Sequence, residues 1–166
     1  MARSTPKLLP KLPLFDRLLQ GDSIETDRNA DRAMQELRDG VRRDLEILFT
    51  TRPRYLSIPS ELEELHTSLL SFGLQELQTQ QLATPTQQEQ FRLRMEALIR
   101  RFEPRFHSVS VELLTQPDKL DRTVRFRVHA VLQTDSTSEL VVYDTLVDPV
   151  SGGMSLTGGM SVDVSV

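Results

Sequence analysis

The sequence predicts an α+β fold, with about three helices packed against a small antiparallel sheet of three to four strands. Three observations carry this. Apolar residues recur at three- and four-residue steps up to about position 102, the apolar period changes to two immediately after Pro104, and the alternating runs are joined by turn-forming segments such as QPDKLD. A chain of 166 residues with 38% apolar residues has room for one modest core with polar ends.

The first 14 residues read as a basic, extended arm. Pro6, Pro10 and Pro13 fix φ and remove amide donors, and Arg3, Lys7 and Lys11 stand there without an acid. Two readings remain open for this arm: a disordered terminus, or a segment docked on a partner or on its own domain. The same prolines and Lys11 interrupt any signal-peptide core, and no 18-residue apolar run follows, so a cytoplasmic location is expected. LFDRLL at 14–19 is apolar enough for a helical turn packed on the body.

Met34, Leu37, Val41, Leu45, Leu48 and Phe49 predict an amphipathic helix from about Arg28 to Thr50. Arg38, Asp39, Arg42, Arg43 and Glu46 on its other face are expected to be solvated and locally paired. A second helix should start at Pro59-Ser60, carry Leu62, Leu65, Leu69 and Leu70 on one side and stop at Gly73. Thr84, Pro85 and Gln87 resemble a capped start with proline at the first helical position. The third helix follows, with Phe91, Met95, Leu98, Ile99 and Phe102 in register.

Beyond Pro104, Val109, Val111 and Leu113 alternate with Ser110 and Glu112, and Val124, Phe126, Val128, Ala130 and Leu132 with Arg125, Arg127, His129 and Val131, giving a hairpin with one buried face. ELVVYDTLV at 139–147 is apolar on both faces, as a central or doubly covered strand would be. A last short strand is expected over Met154 to Thr157. The near-duplication SGGMSL/TGGMSV is read either as a flexible terminus or as a strand donated to a neighbour. The organisation is therefore an arm (1–14), one domain (15–157) and a flexible tail (158–166).

Composition narrows the chemistry. With a net charge of −4 there is no global attraction to nucleic acid, and with no cysteine there is no thiolate nucleophile, disulfide or zinc ribbon. His66, His107 and His129 lack metal-ligand spacing, and His66 reads as a packing or surface histidine. No cofactor and no small-molecule substrate are expected. The strongest enzymatic arrangement would pair Glu103 with Asp144 or Asp148 as glycosidase carboxylates. Arg105 beside Glu103 opposes it, because a neighbouring cation favours the carboxylate form whereas a general acid needs a raised pKa.

Glu103, Pro104 and Arg105 say more. Pro104 disfavours helix at Glu103, and in an extended segment residues two apart share a side, so carboxylate and guanidinium can point the same way. Such a trio either merely ends a helix with an exposed ion pair or forms a rigid fork offered to carboxylates or carbonyls of another chain.

LFDRLL, LRDGVRRDLEILFTTR, SLLSFGL, the helix ending in FEPRF, and YDTLVDPVSG occur in the order and approximate spacing of the TssE family. These are baseplate wedge subunits of bacterial type VI secretion systems, related to the small lysozyme-like wedge protein of contractile phage tails. The resemblance covers roughly residues 14–152, and the Glu-Pro-Arg motif is its most specific element. It implies a non-catalytic structural subunit whose strands imitate the handshake region of the sheath subunits TssB and TssC and start sheath polymerisation. It further implies that Glu103, Pro104 and Arg105 grip the wedge core bundle of TssF and TssG, with TssK an indirect neighbour. The place implied is the cytoplasmic side of a baseplate docked to the inner-membrane complex. The rivals are a peptidoglycan hydrolase and the wedge subunit of a phage-tail-like particle.

Overall fold

The computed structural model describes residues 14–20, 30–53, 58–74, 82, 84–114, 123–134, 138–148 and 153–161. The basic arm up to Pro13 and the last five residues of the tail lie outside the described residues. Within them the chain forms α1 (Leu14–Gln20), α2 (Ala30–Thr50), α3 (Glu63–His66), α4 (Pro85–Phe102), β1 (Phe106–Leu114), β2 (Val124–Gln133), β3 (Ser138–Val147) and β4 (Met154–Ser161). Among the described residues no helix is long and apolar enough to cross a membrane.

The strands form one antiparallel meander in the order β1-β2-β3-β4, so the α+β architecture is as the change of period requires. Every second residue of β2, from Val124 to Leu132, is buried. On β3 Val141, Tyr143, Thr145 and Val147 face the core, while Val142, Asp144 and Leu146 are only partly covered. Thus β3 is central in the sheet but not covered on both faces.

Both long helices lie on the core face, α4 over β1 and α2 over β4. The α2 stripe Leu37, Val41, Leu45, Leu48 and Phe49 is buried, as is Phe91, Met95 and Ile99 on α4. Helix α4 begins with the expected capping box. The Thr84 hydroxyl accepts from Gln87 N, and the Gln87 side chain accepts from Thr84 N at 3.1 Å.

Three expectations need correction. The second helix is a single turn, because the hydroxyls of Thr67, Ser68 and Ser71 take the carbonyls of Glu64 and Leu65 and turn the chain away from helix. Its leucines do not enter the core, and Leu69 is 88% exposed. Gly73 does end the segment. It sits at φ +114° where Leu74 N donates to Thr51 O, and a Cβ there would lie 2.4 Å from that oxygen.

The polar face of α2 is likewise not merely solvated. Arg38 pairs with Glu139 of β3 at 2.6 Å and Arg43 with Asp16 of α1 at 2.6 Å, so the run ties α2 to distant elements. Arg42 and Glu46 make a local pair at 3.5 Å. Finally, β4 runs to Ser161, past the expected end at Thr157. It pairs with β3 along its length, so residues 158–161 belong to the sheet and not to a tail. A register shift between Val142 and Tyr143 leaves Gly159 as the extra residue, and the tightly placed Gly158 (φ +104°) makes this bulge possible.

Candidate functional site: the groove beside Glu103, Pro104 and Arg105

Helix α4 ends where the residue before Pro104 leaves helical geometry. Glu103 adopts φ −118°, ψ 81°, and its N–H still closes the last turn on Ile99 O at 2.8 Å. The extended backbone does place Glu103 and Arg105 on one side. Arg105 Nε donates to Glu103 Oε1 and Nη2 to Oε2, each at 2.5 Å, which is a bidentate pair within the chain. The same Nη2 donates to Asp44 Oδ2 on α2 at 2.5 Å.

This arrangement departs from both sequence readings. The pair is not exposed, since Glu103 is 4% accessible. Nor is the guanidinium an empty fork, because two of its nitrogens already hold the chain's own carboxylates. Burial alone would lower the Arg105 pKa, but the hydrogen bonds and charges of Glu103 and then Asp44 hold it well above the ordinary range. Arg105 is a permanent cation locked in place. Close by, burial first, and then the Glu103 charge, push the Tyr143 phenol up, so it stays a neutral hydroxyl.

Around the trio lies an open groove of about 690 Å³. Pro104, Glu103 and Arg105 line one part of it, Leu14 and Phe15 of α1 another, and Ile47, Phe72 and Phe102 form apolar wall. Phe72 and Phe102 meet edge to face at 5.3 Å and also line a second apolar groove beside Leu69 and Leu70, so the apolar surface continues across them. Helix α1 presents Leu14, Phe15, Leu18 and Leu19 to solvent at 67–74% exposure and buries Asp16 instead. It is anchored by charge and not by its leucines.

Sequence reasoning singled out Glu103, Pro104 and Arg105 as candidates but not Asp44 or the apolar wall that the structure places beside them. Asp44 stands in an ordinary charged run, and the wall joins residues from three segments that no local pattern connects.

Neither glycosidase pairing is assembled: Asp148 follows the far end of β3, ten residues beyond Ser138, which pairs with the Gln133 that donates to Arg105 O. Glu103 lies at the end of α4 on the core side, whereas Asp144 is on the opposite face of β3, held by Arg127 at 2.7 Å. The hydrogen bond from Arg127 keeps the Asp144 carboxyl below the usual range.

Two comparisons, with curated proteins and with solved structures, return no match. A family model does match, over residues 35–137, and it describes baseplate wedge protein gp25. The matched range takes in LRDGVRRDLEILFTTR, SLLSFGL and the Glu103-Pro104-Arg105 turn and leaves out LFDRLL and YDTLVDPVSG. Covering more than half of the chain and the groove's charged turn, it shows that this protein belongs to the baseplate wedge protein gp25 family, the family of TssE, whose members are structural components of phage-tail-like baseplates.

Proposed function

We propose that the chain is the TssE-type subunit of a type VI secretion baseplate wedge, a non-catalytic adaptor that docks on the TssF–TssG core bundle and starts assembly of the TssB/TssC sheath. TssK is then an indirect neighbour, and the working location is the cytoplasmic side of a baseplate docked to the inner-membrane complex. The observation that carries the reading is the Glu103–Arg105 pair, fixed beside an apolar groove that exposes Leu14, Phe15 and Ile47. A pair buried by its own chain is a rigid platform, not a loose surface contact.

The groove suits an amphipathic helix of the core bundle. Its apolar face would lie against Phe15, Ile47 and Phe102, in the helix-in-groove mode. Glu103 and Asp44 outweigh Arg105 by one negative charge, so a basic side chain or N–H donors of the partner would meet the half-exposed Asp44.

Capture of TssF–TssG from solution by the purified chain tests this. Phe15→Asp and Ile47→Asp alter exposed groove positions and should leave the melting temperature near that of the wild type, yet reduce capture at least about tenfold, since a charge facing a desolvated apolar partner costs several kcal/mol. Wild-type capture by both folded variants would remove the groove from the interface. Recovery of tail-fibre proteins instead of secretion subunits as native partners would favour the phage-tail-like particle.

A further inference from the structure

A four-stranded open sheet has two edges, β1 and β4, and each is a template for another strand. They are treated differently. Along β1 three main-chain groups, on Val109 and Val111 in the middle of the strand, are occupied by side chains of α4. Val111 N donates to Glu96 Oε2 at 3.2 Å, Arg92 Nη1 donates to Val111 O at 2.9 Å, and Arg100 Nη2 donates to Val109 O at 2.8 Å. Glu96 also binds both guanidiniums, Arg92 through Oε2 at 3.0 Å and Arg100 through Oε1 at 2.8 Å. The three side chains form one connected ladder with Glu96 at its centre.

The fit has a geometric basis. Residues four apart on a helix are separated by about 6 Å along its axis, and residues two apart on a strand by about 6.7 Å. Arg92 and Glu96 therefore converge on the two main-chain groups of Val111 while Arg100, one turn further on, reaches the carbonyl of Val109, and their long side chains stand where a neighbouring strand would hydrogen-bond. Among the described residues the other edge has no comparable cover. Among the described residues, the main chain of Met154–Ser161 hydrogen-bonds only toward β3, and its one protective device is the Gly158–Gly159 bulge near its end.

We propose that Arg92, Glu96 and Arg100 close the β1 edge to strand addition, so that the sheet can be extended by a partner's extended segment only along β4. This inference rests on the wedge reading only for what the open β4 edge serves. The closure itself is a property of the isolated chain. Without it, the exposed row on β1 would pair with the same row of a second copy, antiparallel and isologous. The ladder thus prevents a subunit with two open edges from joining copies of itself.

The experiment uses the full chain with Glu96→Ala/Arg100→Ala, and with Arg100→Ala alone in case the double variant fails to fold. Amide hydrogen exchange and sedimentation over a range of concentrations are the readouts. In the folded variant the Val111 amide should exchange roughly three- to tenfold faster than in the wild type, the factor expected for loss of one hydrogen bond, while Val128 on the central strand stays protected. Self-association should strengthen relative to the wild type, and adding Ser110→Lys, a charge on the edge strand, should reverse it. For Arg100→Ala, which exposes only the Val109 carbonyl, sedimentation alone decides. Unchanged sedimentation in a folded variant, an unchanged Val111 exchange rate in the double variant, or self-association that Ser110→Lys does not reverse, would overturn the proposal. Capture of TssF–TssG should remain at the wild-type level in these variants. If wild-type capture fails while the exchange and sedimentation results hold, the wedge reading falls and the closed edge stands.

Discussion

Helix α4 and the short segments at α1 and around α3 carry similar apolar patterns and meet opposite fates. On α4, Phe91, Met95 and Ile99 lie against the sheet and are inaccessible. On α1 and around α3, Leu14, Leu18, Leu62 and Leu69 repeat at helical spacing and stay in water. The difference is not one of hydrophobicity. Helix α4 is eighteen residues long and has a capping box, so its whole face can settle on β1, whereas α1 spans seven residues and α3 four, too short to hold shape without tertiary support. A stripe on a long helix is core; a stripe on a short one records a surface that this chain leaves uncovered. Such patches mark interaction sites when they are contiguous.

Substitutions can break the comparison at either end. The largest effect is expected at Phe91, which is tilted against Phe126 at 5.3 Å in the core: Phe91→Ala should cost about 3–5 kcal/mol in denaturant unfolding. A loss under about 1 kcal/mol would mean that the α4 face is not the core it resembles.

Arg105→Ala comes next. Had the pair been exposed, its loss would hardly affect folding. With Glu103 buried, the substitution strands a carboxylate and should cost about 3 kcal/mol, the low end for a broken buried pair because Arg105 itself is a quarter exposed. For a chain of this size that lowers the melting temperature by roughly 6–12 °C. An unchanged melting curve would place the pair at the surface after all, on the uncovered side of the comparison.

A smaller effect concerns pH. Asp144 has its folded pKa held down by Arg127, so the pair's contribution is present above the unfolded carboxylate value, about 3.9, and is lost as pH falls through the lower folded value. Both side chains are well exposed, so Asp144→Asn should flatten the acid limb of the stability curve only slightly. A large flattening would show that the outer sheet face is less open than its accessibility implies.

The smallest effect is predicted at Leu69. Leu69→Asp should change stability by less than about 0.5 kcal/mol, read from the same unfolding curves. A loss comparable to that at Phe91 would mean that the short segment is covered after all and the contrast with α4 is false.

The sequence by itself determined the α+β class, the limits of α4, the buried faces of β1 and β2 and the position of the Glu103-Pro104-Arg105 turn. Each of these depends on neighbours within a few residues: a capping residue three positions before its partner, an alternation of period two, a proline that constrains the residue before it. What Glu103 and Arg105 face, by contrast, only the tertiary structure decided. Asp44 reaches Arg105 across 61 positions and Arg38 reaches Glu139 across 101, so no local signal announces them. The same holds for the ladder on β1. The spacing of Arg92, Glu96 and Arg100 reads as helix-surface ion pairing until the helix is laid beside Val109 and Val111, and only then do three side chains become the cover of a sheet edge. Coverage of a surface depends on what the fold brings across it, and that partner is remote in sequence or lies on another chain.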